Sequence, residues 1–223
     1  MRSYLLLVLA AGCTATSSQH IATSDLFVNY ELIAQTDHVT ARATFHVGDG
    51  NTGTVVQLDG SDRISCGGVP LAQSESALGQ ITYQADIPMT ASTFVFELAR
   101  QTGNVSTSVT VPAAIAMHTP VAQSKLPAGQ PVTVTWSPAG STDRIDISLS
   151  VTAGACTSAI VGAGVPDTGS AVVPGAQLVS TDGNSCTGQL GVARSVQTEL
   201  GAPFAGGEAV ASAYDGALVT IQP

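Results

Sequence analysis

The chain has 223 residues, of which 44% are hydrophobic, 10% charged and 4% aromatic, and its formal net charge is −9. Disorder requires low hydrophobicity with high charge, so this composition argues for a folded chain. The acidic balance excludes a basic stripe for nucleic acid and a polybasic membrane patch. Abundant Ala, Val, Thr, Ser and Gly are the material of short strands and turns rather than of long surface helices.

The chain opens with Arg2, an apolar run from Tyr4 to Ala11, and small residues after it. This is the layout of a secretory leader, too short to span a bilayer as a helix. Leu9, Ala10, Ala11 and Gly12 lead into Cys13, and the stretch resembles the lipobox of bacterial lipoproteins, with Ala10 where that family usually has Leu. The resemblance implies cleavage before Cys13 and acylation of its sulfur and amine, hence a membrane partner reached through a lipid anchor. With Thr14 rather than Asp next to the Cys, it further implies a cell-envelope location at the outer membrane. Residues 1–12 are then leader, and residues 13–24, rich in Ser, Thr and Ala, a flexible tether.

From Leu26 the pattern turns to period two. Val39, Ala41, Ala43, Phe45 and Val47 alternate with Thr40, Arg42, Thr44 and His46, which predicts a half-buried strand with His46 on its solvated face. Residues 48–53 form a turn cluster, residues 54–58 a short strand, residues 59–62 another turn, and residues 63–66 a strand. Further strands follow at 80–87, 93–100 and 106–111. Regularly spaced strands of this kind predict an antiparallel sandwich over 25–112. Residues 112–120, bounded by two prolines, read as an extended join.

A second sandwich is predicted over 113–223. Val132, Val134 and Trp136 share one strand face, and Ile145, Ile147, Leu149 and Val151 another. Strands follow at 189–196, 208–214 and 217–221, with Asp182–Gly183 and Asp215–Gly216 as turn dipeptides. The 129–136 segment and the hairpin after it resemble immunoglobulin- and fibronectin-like sandwiches. The expected fold is therefore all-β, with two immunoglobulin-like domains in tandem behind a lipoprotein leader. The layout also resembles uncharacterised two-domain envelope lipoproteins of Gram-negative bacteria, which offer no activity to carry over.

The exported chain meets an oxidising compartment. Cys156 and Cys186 both fall at strand ends of the second domain, so they are expected to bridge, closing an aperiodic loop and adding roughly 3–4 kcal/mol. Cys66, in the other domain, is expected to stay a free buried thiol.

Residues with catalytic spacing are scarce. His20, His38, His46 and His118 show no metal-binding helical pair. Residues 183–188 miss the nucleophile elbow Gly-x-Ser-x-Gly by one position. Residues 162–169 lack the Lys of a phosphate loop. Asp49 and Asn51, and Asp59 and Asp62, are the calcium candidates, but neither pair completes an EF-hand loop, and such residues favour turns for their own local hydrogen bonds. Trp136 reads as a core anchor rather than a sugar platform. No catalytic residue and no cofactor is assigned. The function that fits is a non-catalytic binding or structural module of the envelope, with a protein or glycan partner. The alternatives are an envelope hydrolase acting on glycan or peptide, and a calcium-stabilised adhesion domain.

Overall fold

The computed structural model describes residues 15–48, 50–157 and 159–223. Cys13 and Asp49 lie outside them. Strands β1 (Thr16–Ser17), β2 (Leu26–Ala34), β3 (His38–Val47), β4 (Thr54–Gln57), β5 (Arg63–Cys66), β6 (Val69–Pro70), β7 (Ala72–Glu75), β8 (Ile81–Pro88), β9 (Thr93–Ala99) and β10 (Val105–Thr110) build the first half. The second half contains β11 (Ala116–Thr119), β12 (Lys125–Pro127), β13 (Val132–Ser137), β14 (Arg144–Ala153), β15 (Ala159–Val165), β16 (Ser170–Val173), β17 (Cys186–Glu199) and β18 (Gly206–Gln222). Short 3₁₀ turns are the only helical elements among the described residues, and no helix there is long and apolar enough to cross a membrane.

Alternation decides which faces meet. Leu26, Val28, Tyr30, Leu32 and Ala34 of β2 are buried while the residues between them are half exposed. Phe94, Phe96 and Leu98 of β9 are buried in the same way. Tyr30 stacks on Phe96 with ring centroids 4.3 Å apart, so the sheet carrying β2 lies face to face with the β10-β9-β5-β6 sheet. Burying each large apolar side chain contributes about 1.5–3 kcal/mol. In the second half, a β11-β13-β16 sheet packs against β14, β17 and β18, with Val134, Trp136, Ile145, Ile147 and Leu190 between them.

The two halves share a sheet. β18 pairs in parallel with β2 from Gly206↔Phe27 to Ala213↔Ala34, then continues to Ile221, pairing with β12. From Glu208 to Ile221 it pairs antiparallel with β17, from Glu199↔Glu208 to Cys186↔Ile221. The largest sheet therefore runs through the join expected near residue 112, and the buried apolar residues of both halves form a single cluster.

Four expectations change. Asp215–Gly216 is not a turn: Val192↔Asp215 and Gly191↔Gly216 continue the ladder, so the two short strands expected here are one. The physical reason lies in Tyr214, whose ring and hydroxyl occupy the space a Cβ would need at Gly191 and whose hydroxyl occupies it at Gly216. The glycines there make room for an aromatic rather than a reversal of direction. The loop expected between the bridged cysteines contains β15 and β16, which pair with β14 and β13. Their Gly and Pro content hid the period. The described part of the expected tether is packed: Thr16 and Ser17 pair with Val56 and Gln57, and Ser18 is fully buried. His46, finally, is buried at 6% exposure, because it stands on the ladder between Phe27 and Val55, and Val55 lies on a neighbouring strand that covers only this end of β3.

Candidate functional site

Two buried arginines organise the polar interior. On β9, Phe94, Phe96 and Leu98 point inward, and Arg100 occupies the next inward position. Its Nε donates to Asp62 Oδ2 at 3.0 Å, Nη1 to Thr23 Oγ1 at 3.0 Å, and Nη2 to the carbonyls of Ser18 at 2.6 Å and Ile21 at 2.8 Å. Both Arg100 and Asp62 side chains are only 4% exposed. Asp62 is thus committed to an ion pair rather than to a cation loop. Asp59 accepts from Ser18 Oγ at 3.3 Å, and Asp59 N–H donates back to that hydroxyl at 3.2 Å. The calcium candidates Asp59 and Asp62 thus have separate hydrogen-bond partners, Ser18 and Arg100, and the Asn51 side chain lies outside those described. Among the described residues no group of three or more His, Cys, Asp and Glu side chains is placed to hold a metal ion.

On β17, Leu190 and Val192 point inward, and Arg194 follows at the next inward position, 1% exposed. Its Nη2 donates to Asp167 Oδ2 at 2.8 Å and to the Pro138 carbonyl at 2.6 Å. Its Nη1 donates to the carbonyl of Ala113 at 3.0 Å, with that of Ala114 at 3.4 Å. Asp167 also accepts from Trp136 Nε1 at 2.7 Å, from Ser141 N–H at 3.0 Å and from Ser141 Oγ at 2.7 Å. Burial alone would raise the Asp167 pKa, but the bonds from Trp136, Ser141 and Arg194 outweigh it and hold it near 2. Trp136 is accordingly a core anchor, 3% exposed, with its indole N–H satisfied. The charge pair is spent on holding backbone: it fixes the join, the 138–141 turn and the 166–169 turn to one another.

Over this join lies an open groove of about 880 Å³, lined by the β2–β3 turn, the β8–β9 turn, residues 111–116 and residues 213–215 of β18. Its walls are mostly apolar, with Ala34, Ala91, Ala113, Ala114, Ala116 and Ala213 among the lining residues. Asp215 accepts from Met117 N–H at 2.8 Å and from Gly216 N–H at 2.9 Å, so its carboxylate is already engaged. Burial, and secondarily Asp215, push the Tyr214 phenol above its ordinary range.

The remaining candidates fall elsewhere. Cys156 and Cys186 form a disulfide with Cα atoms 5.6 Å apart. Gly154 at φ +79° lets the chain pass where a Cβ would meet Cys186 Cβ at 2.9 Å. Cys66 is free and buried, its thiol pushed up to about 12 by desolvation. His38 sits beside Asp37 at 2.7 Å, and His118 beside Ser137 at 2.6 Å, both on exposed surface. His46 has a buried Nδ1 without a partner, and burial lowers its pKa.

These sheets and buried pairs define an all-β protein of several sheets, with one disulfide among the described residues. No family model matches the chain, and no curated protein matches it. Among solved structures it is similar to the adhesin InvE of Yersinia pseudotuberculosis, at 11% identity and a TM-score of 0.25, over 90% of this chain and 59% of the adhesin. It is also similar to a chimeric titin Z1Z2 carrying an exogenous KLER peptide from decorin, at 12% identity and a TM-score of 0.23, over 89% of this chain and 98% of the other. The chain thus spans less than two thirds of the adhesin, and neither likeness carries an argument about function.

Proposed function

We propose that this chain is a lipid-anchored protein of the bacterial cell envelope, acylated at Cys13 and most at home at the outer membrane, that works as a non-catalytic binding or structural module. In this reading its halves, 25–112 and 113–223, are two immunoglobulin-like sandwiches in tandem, fused through one hairpin. The observation that carries the reading is the β17–β18 hairpin. β18 runs 17 residues, about 55 Å at 3.2–3.4 Å per residue, and pairs with both halves along the way. Its start lies at the end of the sheet where the chain enters, and its last residues lie beside the disulfide. A beam of this kind keeps the second half at a fixed distance from an N-terminal anchor. The groove over the join supplies a contact surface for a protein or glycan strand. The strongest buried charges hold backbone segments rather than face a cleft, which favours binding over hydrolysis.

Metabolic labelling with palmitate tests the anchor. The wild type takes up label and fractionates with membranes, and Cys13→Ser does neither. An unlabelled wild type would sink the anchor. Incubation with peptidoglycan fragments and envelope peptides tests the module, and release of a hydrolysis product would replace this reading with an enzymatic one.

A further inference from the structure

Ala15 opens the described chain and leads directly into β1. It follows Cys13 by two positions, and a link that short reaches at most about 7 Å. β1 runs parallel to β4, with Thr16 beside Val56, so the chain enters at the end of the sheet where β3 turns into β4 and β17 turns into β18. That entry is held firmly. Three of the Arg100 hydrogen bonds go to Ser18, Ile21 and Thr23, while its fourth pairs with buried Asp62. Ser18 is itself fully buried and exchanges hydrogen bonds with Asp59. A buried guanidinium whose bonds converge on one entering segment ties that segment to the fold, because releasing it would strand a charge.

We propose that this end of the molecule is a bilayer-facing surface. It is held against phospholipid headgroups by the acylated Cys13, and Arg100 sets the distance by keeping residues 15–25 out of the tether. The proposal rests on the lipid-anchor reading. The surface near the entry carries exposed Gln19, His20 and Asp25 with partly exposed Asp59, and no cluster of cations among the described residues. Contact is therefore imposed by tether length and does not need anionic lipid. Were residues 15–25 released, they would add up to about 36 Å of reach.

Neutron reflectometry on a supported phosphatidylcholine bilayer bearing the full acylated chain reads the stand-off directly. The protein layer should begin within about 10 Å of the headgroups, and Arg100→Met should widen that gap by a further 10 Å or so. A wild-type gap of about 20 Å or more overturns the proposal, as does an unchanged gap in an Arg100→Met protein whose circular dichroism and Trp136 emission show it folded. If that variant does not fold, a Gly/Ser insertion of about ten residues between Thr14 and Ala15 serves instead, since it leaves Arg100 and its hydrogen bonds to Ser18, Ile21 and Thr23 in place. It should widen the gap comparably, and an unchanged gap again overturns the proposal. Absence of palmitate label is a separate outcome that removes the anchor reading alone. Coupling Cys13 to a maleimide lipid then still measures the stand-off.

Discussion

Replacing Arg194 with Met keeps most of the side-chain volume and removes the guanidinium. The Ala113 and Pro138 carbonyls lose their donors, and Asp167 is left as a buried carboxylate without its cation. Breaking a buried pair from one side typically costs about 3–5 kcal/mol. Asp167 keeps three donors, from Trp136 Nε1, Ser141 N–H and Ser141 Oγ, so the lower end, about 3 kcal/mol, is expected. At an m-value of about 2 kcal/mol/M this moves the urea midpoint down by about 1.5 M. Emission of Trp136, the lone Trp, follows the transition and reports from the pair itself. The pH dependence supplies a second reading. The folded Asp167 pKa near 2 lies below its ordinary 3.8, so the stability it contributes is fully present above pH 4 and is lost as pH falls toward 2. Without Arg194 the pKa rises, so the gap between wild type and variant narrows over that window. Adding Asp167→Asn to Arg194→Met should recover part of the loss. A single-variant cost below about 1 kcal/mol, or strict additivity in the double variant, would refute the account of the join.

Three further outcomes are expected. Cys156→Ser with Cys186→Ser should cost about 3–4 kcal/mol for a closure of 30 residues, while Cys66 stays unreactive to a thiol reagent until the chain unfolds; a non-reducing map joining Cys66 to either partner would contradict both. His46 has a folded pKa below 6.5, so protons favour the unfolded chain and stability should drop as pH falls through 6.5 toward that lower value. In His46→Leu this part of the pH profile should flatten, and an identical slope would show that the ring is not the cause. Proteolytic nicking within 112–130 should leave fragments that co-elute in gel filtration, because β18 pairs with β2 across the cut; two separately eluting folded pieces would restore the view of independent sandwiches.

Much of the architecture was legible as alternation. The faces of β3, β9 and β14 follow directly from period two, since a strand with one buried side must place apolar residues at every second position. The two arginines carried a readable signal as well: Arg100 and Arg194 each continue an apolar face, Phe94-Phe96-Leu98 and Leu190-Val192, where a charge must find a partner. Asp62 and Asp167 did not, because each lies in a turn where Asp is ordinary for local reasons. The pairing of Cys156 with Cys186 was reachable because both end strands of the same half.

Tertiary structure alone decided the rest. Parallel pairing of β2 with β18 joins the ends of the chain, and no local pattern encodes which distant strand completes a sheet edge. Asp215–Gly216 reads as a turn until Tyr214 is seen to need the space above two glycines. His46 reads as solvated until β4 is laid beside it, and residues 15–24 read as tether until Arg100 is found beneath them. The sequence by itself determined the two alternating faces of strands such as β3, β9 and β14, because burial acts on each strand through its own alternation. What each strand then meets depends on contacts between distant segments, and only the folded chain brings those together.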